Sequence, residues 1–375
     1  MSRADDTAGG GVLAWLHIGD LHLTTAEAEN LRDLRRIVAL ANALPAGSLD
    51  FAVLPGDNAD DGAPEQYALL HDAIAGLRLP LHVLPGDHDF KPRSLDAFYA
   101  VPRVERLPRA VTVKGHRCLF LDVVSVGTGG PDFRLDKAQL DWAERELEDA
   151  RAASEAAVVF MHTYPADLRE GAERLRALLA RPDVRCVDMG HTHYNELAND
   201  GGTIFMVTRS TGQVEEGPPG FSIAAVDGDC VSWRFKPLDQ AWPFVLVTRP
   251  ADRRLVTNPN QIVGGSFPTR AKVVGDIPIE RVEVQVGQGA WAPMRPVPGE
   301  AALWEARCPA PGESVRVRAR DARGREDEDR IEPPRPGWTP PARAGDGSDR
   351  DRVGPWPEKG ILDTQLGPNR NGRQW

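Results

Sequence analysis

Five short clusters of Asp and His constrain the fold of this chain more than anything else in it. They are Asp20-Leu21-His22, Gly56-Asp57-Asn58-Ala59-Asp60, Gly86-Asp87-His88-Asp89, His162 and Gly190-His191-Thr192-His193. Most directly follow a short apolar run, and each such run reads as a buried parallel strand. In open α/β sheets ligands bind outside the carboxyl ends of the strands, so clusters far apart in sequence can converge on one rim. The inventory Asp20, His22, Asp57, Asp87, His162, His191 and His193 suits two divalent metals held by carboxylate and imidazole.

The pattern between the clusters supports this arrangement. Strands are predicted at residues 12–18, 50–54 and 81–84, with helices at 25–44 and 64–77 between them. That is β-α-β-α-β, which implies right-handed crossovers and a parallel sheet. A hairpin-like pair follows at 111–113 and 117–124, then a charged helix at 136–150, a strand at 157–161, a helix at 166–180 and a strand at 185–189. Segments 203–208, 221–226 and 230–235 read as closing antiparallel strands, the last two joined by the Asp227-Gly228 turn. Beyond Pro237 the helical signal stops. Alternating valines such as Val282, Val284 and Val286 then predict a small β-sandwich. Residues 334–375 are rich in Pro, Gly, Arg and Asp and read as an irregular tail that drapes over the body or stays mobile.

The resulting division is a flexible start at 1–11, an α/β domain at 12–240, a β-sandwich at 241–333 and the tail at 334–375. A length of 375 residues suits one large domain plus a small one, and 41% hydrophobic residues supply a core. A net charge of −10 gives no basic footprint for long nucleic acid or an anionic membrane. The polar start carries no secretory signal, and no apolar run is long enough to span a bilayer. Cys118, Cys186, Cys230 and Cys308 match no zinc spacing and read as free thiols in a reducing compartment, so the expected location is cytoplasmic.

Chemistry explains the cluster spacings. In extended chain, residues i and i+2 point the same way, so Asp20 with His22, and His191 with His193, can address one ion each. Gly56 permits the sharp turn that presents Asp57, whose two oxygens can bridge two ions. Taken in order, Asp-x-His, Gly-Asp-x-x-Asp, Gly-Asp-His-Asp, His and Gly-His-x-His resemble the signature of calcineurin-like metallophosphoesterases over about residues 12–237. The compact bacterial cyclic-nucleotide phosphodiesterases are the most similar in layout. The resemblance implies a four-layer α/β/β/α sandwich, with the C-terminal strands as an Ig-like domain. It also implies two divalent metals (manganese, iron, zinc or similar). Asp20, His22 and His193 would hold the first, Asp87, His162 and His191 the second, with Asp57 bridging. His88 would contact phosphate and assist the leaving group, and Asp60 and Asp89 would orient histidine ligands. The implied reaction is attack of a metal-bridging hydroxide on a small-molecule phosphodiester or phosphomonoester. The alternatives are a phosphatase acting on phosphomonoesters or phosphoproteins, and a non-catalytic metal-binding scaffold.

In one place the chain departs from the family pattern: Asp87 stands where the family has Asn. Three ionised carboxylates then face two divalent metals, which implies tighter metal binding, weaker attraction for an anionic substrate and a less acidic metal-bound water. Tyr194, Asn195 and Arg209 are candidate substrate contacts, and the loop Gly127 to Pro131 is a candidate phosphate cradle. Expected roles for the β-sandwich are packing, homodimerisation or substrate presentation.

Overall fold

The computed structural model describes residues 11–310 and 312–364; the expected flexible start and the last part of the tail lie outside them. Eleven strands build the N-terminal half. They are β1 (Leu13–His17), β2 (Phe51–Leu54), β3 (Leu81–Val83), β4 (Arg109–Val113), β5 (His116–Phe120), β6 (Ala156–Phe160), β7 (Val184–Met189), β8 (Glu196–Asn199), β9 (Ile204–Val207), β10 (Gly220–Asp227) and β11 (Cys230–Pro237). They form two sheets, in the orders β11-β10-β1-β2-β3 and β4-β5-β6-β7-β9-β8. Within them β1, β2 and β3 run parallel, as do β5, β6, β7 and β9.

Both faces of each sheet are covered, which is why the strands read as continuous apolar runs rather than alternating ones. Leu13 and Trp15 of β1 share an inter-sheet core with Phe120, Val158 and Phe160, while Ala14 and Leu16 join the core under the helices. Helices α1 (Glu29–Asn42) and α2 (Pro64–Ile74) belong to the first sheet, and, after a short α3 (Asp96–Tyr99), α4 (Lys137–Ala152) and α5 (Ala172–Leu179) to the second. The result is the expected α/β/β/α sandwich. Asp136 caps α4 by accepting from the Gln139 amide at 2.8 Å. A buried polar tie joins the sheets: Asp188 of β7 accepts from both Trp15 Nε1 and His17 Nδ1 of β1.

The C-terminal strands are β12 (Phe244–Arg249), β13 (Phe267–Val274), β14 (Ile279–Val286), β15 (Ala292–Pro293), β16 (Arg295–Pro296), β17 (Leu303–Cys308), β18 (Val315–Asp321) and β19 (Glu326–Ile331). Two four-stranded antiparallel sheets, β12-β13-β17-β16 and β15-β14-β18-β19, share a core that includes Val245, Val282, Val284, Val315 and Val317. The sequence pattern missed β8, whose Glu196 and Asn199 are polar but buried, the two-residue β15 and β16, and β19, whose acidic residues hide a strand.

The described part of the tail lies on the body. Arg352 bridges to Ala198 of β8, Trp356 and Ile361 enter the inter-sheet core, and Lys359 makes a buried ion pair with Asp329. No helix among the described residues is long and apolar enough to cross a membrane. All four cysteines are buried free thiols.

Candidate metal centre

Asp20, Asp57 and Asp87 follow β1, β2 and β3 of one sheet, and His162 and His191 follow β6 and β7 of the other. Because these strands are parallel within each sheet, their carboxyl ends share one edge, and the face-to-face sheets bring the two rims together. Of three groups of possible ligands with their atoms within 4.8 Å of one another, two share Asp57: Asp20, His22, Asp57 and His193, and Asp57, Asp87, His162 and His191; the third is His22, Asp60 and His88 at the rim. All residues of the two groups that share Asp57 are buried.

Asp57 belongs to both groups. Its Oδ2 lies 3.6 Å from His22 Nε2 and its Oδ1 3.5 Å from His162 Nε2. In the first group His22 Nε2 and His193 Nε2 are 3.0 Å apart, and Asp20 Oδ2 is 3.6 Å from the latter. In the second, Asp87 Oδ1 is 3.3 Å from His162 Nε2 and 3.4 Å from His191 Nδ1. Among the described residues, four of the ten non-glycine positions with left-handed backbone are His22, Asp57, His191 and His193. Such strain persists only where the surroundings hold it. Close packing adds to the constraint: a Cβ on Gly86 would stand 2.1 Å from Asp57 Oδ1, and one on Gly190 2.2 Å from Asp20 Oδ1.

The hydrogen bonding of these side chains suits cations. His162 Nδ1 lies 3.0 Å from the Pro55 carbonyl, which can only accept, so this nitrogen carries the proton. A neutral ring would then aim the lone pair of Nε2 at two carboxylate oxygens, and only a second proton or a cation relieves that. His22 repeats the motif, with Nδ1 against Asp60 Oδ1 at 3.2 Å and Nε2 facing His193. Asp20 Oδ1 is buried and accepts no hydrogen bond. Carboxylate oxygens and imidazole nitrogens form a donor set that accepts several first-row divalent ions.

Electrostatics follow from this crowding. Burial and the Asp57 charge push the Asp87 carboxyl up, but hydrogen bonds from His162 and His191 and the charge of His191 leave it below its ordinary value. For His162, burial works downward and is outweighed by the charge and hydrogen bonds of Asp57 and Asp87, so its value is raised. The hydrogen bond from His22 brings Asp60 down to about 2.

His88 is partly exposed at the rim. Its Nδ1 donates to the Asp60 carbonyl at 2.8 Å and also meets Asp60 Oδ1 at 3.2 Å, while its amide donates to Asp57 Oδ1 at 2.9 Å. Asp60 therefore touches both His22 and His88. Asp89 differs from expectation, since its described hydrogen bonds reach no histidine. It accepts from the amides of Asn58, Ala59 and Gly86 and from Tyr67 Oη at 2.7 Å, so it pins the backbone on either side of Asp57 and Asp87.

Arg209 is a second correction. It is buried, gives its guanidinium to the carbonyls of Glu216, Pro218 and Gly360 and lies over Phe235, leaving it no reach toward substrate. Asn195 is likewise spent, accepting from the Arg209 amide and donating to Gly360 O. Tyr194 is half-buried beside His193 and donates to Glu215 at 2.5 Å. In the Gly127 to Pro131 loop, the Thr128 amide is taken by Asp132. Three neighbours carried no sequence signal. Asn30 of α1 donates to the carbonyls of Leu21 and His22, and Gln213 and Glu215 sit in an aperiodic polar loop against His22 and His193.

Comparison with known proteins agrees with this geometry. Residues 15–195 match the family described as calcineurin-like phosphoesterase. The chain is 29% identical over 209 residues to the 3',5'-cyclic adenosine monophosphate phosphodiesterase of Escherichia coli, covering 52% of this chain and 75% of that protein. It is 28% identical over 247 residues to a probable cyclic nucleotide phosphodiesterase of Synechococcus sp., covering 61% and 94%. A dimetal phosphatase from Danio rerio shares the fold, with a TM-score of 0.51 at 14% identity over 61% of this chain and 97% of that one. Fold and site together define a metallophosphoesterase architecture. The chain carries a calcineurin-like phosphoesterase domain, followed by all-β sheets.

Proposed function

We infer that this chain hydrolyses a phosphoester at a two-cation centre. Asp20, His22 and His193 would hold one divalent ion and Asp87, His162 and His191 the other, with Asp57 shared between the two groups. The observation that carries this reading is the division of Asp57, with one oxygen facing each ligand group. When bound, the ions would supply Lewis-acid polarisation of the phosphoryl group and acidify water.

The chain's own residues supply the rest. In the in-line displacement a new P–O bond forms from water and the ester P–O bond opposite it breaks, so the departing oxygen needs a proton. His88 is positioned to give it. Its Nδ1 proton is committed to Asp60 O, so Nε2 of the imidazolium is the donor. Asp60 holds His22 and His88 in register, and Asp89 fixes the loops that present Asp57 and Asp87.

The substrate favoured is a small phosphodiester, because the named relatives are cyclic nucleotide phosphodiesterases. A phosphomonoester is second. A metal-binding scaffold is disfavoured by the retention of a ligating side chain at every position. The division at about residues 240 and 333, with an Ig-like domain between, is part of the same proposal, and the strand order β12 to β19 supports it.

Hydrolysis of bis-p-nitrophenyl phosphate against p-nitrophenyl phosphate, with elemental analysis of the same sample and His191→Ala as control, tests this reading. Diester turnover with two metals per chain, lost in the variant, is the expected result. Monoester turnover alone moves the assignment to a phosphatase, and no metal with no turnover leaves the scaffold.

A further inference from the structure

The loop between β9 and β10 is fastened to the first ligand group at several points. The amides of Thr211 and Gly212 donate to Asp20 O at 2.9 and 3.0 Å, as does Ser210 Oγ at 2.8 Å. The Ser210 amide donates to His193 O at 3.3 Å. At its far end, Arg209 grips Glu216 O, and Glu216 accepts from the Asn195 amide at 2.9 Å and from Thr364 Oγ1 at 2.6 Å. Between these anchors the loop sets two side chains against the outer nitrogens of the two histidines. Gln213 Nε2 lies 3.3 Å from His22 Nδ1 and 3.4 Å from Asp60 Oδ1, and Glu215 Oε1 lies 3.5 Å from His193 Nδ1.

His193 has a tautomer to choose. With Nε2 3.0 Å from His22 Nε2, a proton on His193 Nε2 makes a hydrogen bond between the rings and turns a lone pair at Nδ1 toward the Glu215 carboxylate. Moving the proton to Nδ1 reverses this. Nε2 then offers a lone pair beside those of His22 and Asp20, as a cation requires, and Nδ1–H gains a charged acceptor. A metal-bound imidazole commonly donates its other N–H to a carboxylate, which fixes the tautomer and raises ligand basicity. His22 has Asp60 for this purpose, and Glu215 stands in the equivalent place for His193. At 3.5 Å the Glu215 carboxylate lies within ion-pair distance of His193 Nδ1.

We propose that Glu215 is the positioning residue of His193, holding its proton on Nδ1 so that Nε2 is presented to the first cation. This rests on reading the first ligand group as a cation site. Glu215 is part of a polar loop and is partly exposed, so its substitution leaves the cores intact.

The test is zinc titration of the full chain by calorimetry, for wild type, Glu215→Ala and Glu215→Gln. Imidazole nitrogen shifts of the metal-free and zinc-loaded forms are read by NMR. Wild type is expected to bind two zinc ions. Glu215→Ala should weaken one site by about 10–100-fold and leave the other unchanged. It should also move the metal-free His193 ring toward the Nε2-protonated tautomer. Glu215→Gln keeps an acceptor oxygen and should recover most of the affinity, which a purely structural role for the carboxylate would not give. Two wild-type sites with Glu215→Ala binding both ions unchanged would overturn the proposal alone. A wild-type chain that binds no zinc would sink the metal-centre reading and this proposal with it.

Discussion

His162 faces Asp87 across 3.3 Å through Nε2 while its Nδ1 proton is committed to Pro55 O. Against the effect of burial, the charge of Asp57 and hydrogen bonds to Asp57 and Asp87 raise the His162 value, which favours a second proton on the ring between these carboxylates. The sign follows directly. That charged arrangement stabilises the metal-free fold at low pH and is lost as pH rises through the folded-state value. A cation must displace the proton, so uptake releases it and affinity rises with pH. Calorimetry in buffers of different ionisation enthalpy should show proton release on zinc binding. Affinity that stays constant from about pH 6 to about pH 8 would count against it.

Asp87→Asn tests the third carboxylate of the two ligand groups. Charges about 4 Å apart interact by about 4 kcal/mol at an effective dielectric near 20, so losing one carboxylate should weaken a cation by tenfold or more. A less anionic ligand set also makes bound water more acidic, which should shift the activity profile to lower pH. Unchanged zinc affinity and an unchanged profile would together rule out a role for this charge.

The two ligand groups were legible because their residues sit at strand ends, where short motifs and apolar runs coincide in the text. The parallel β-α-β-α-β unit followed from the same runs, and the α/β/β/α layering from the family resemblance. The parts that were not legible are held by contacts with no sequence period. Asp89 sits in a motif that implies histidine contact, yet three backbone amides claim its carboxylate. Arg209 reads in the sequence as a candidate substrate contact, but backbone carbonyls surround it. Lys359 and Trp356 belong to a Pro- and Gly-rich tail whose composition predicts irregular chain, and they anchor it by burial rather than by secondary structure.

Gly190→Ala should remove metal without unfolding the protein. The added Cβ would stand 2.2 Å from Asp20 Oδ1, and the His191 amide also holds Asp20, through Oδ2 at 2.6 Å. The carboxylate must move, and with it the first ligand group. Elemental analysis should show at least one ion lost while far-UV circular dichroism matches wild type. Full metal content in the variant would show that Asp20 is dispensable.

Glu196 is buried on β8, and burial raises its carboxyl to about 8 despite the hydrogen bond from Tyr164. The folded state therefore holds a proton that the unfolded state releases near its ordinary value of 4.5. Stability from this group is present at low pH and falls as pH rises from the unfolded value toward about 8. Glu196→Gln keeps the shape and removes the titration. Melting temperatures compared across this range should diverge, the variant gaining on wild type as pH rises, and parallel curves would refute the assignment.

The tail's hold on the body rests on Lys359, whose Nζ donates to both oxygens of Asp329 at 2.6 and 2.7 Å in full burial. Asp329 also accepts from the Val247 amide at 2.8 Å, so it is fixed between β12 and the tail. Removing one partner of a buried pair leaves an uncompensated charge, which costs about 3–5 kcal/mol. Lys359→Met should lose stability on that scale in urea denaturation and expose the tail to proteolysis near Trp356. Replacing both charges behaves differently, because the desolvation cost disappears with the attraction. Lys359→Met with Asp329→Asn should therefore recover much of the loss, the amide still accepting from Val247. If the single and double variants are equally unstable, the pair is not what ties the tail down, and the burial of Trp356 and Ile361 carries that role instead.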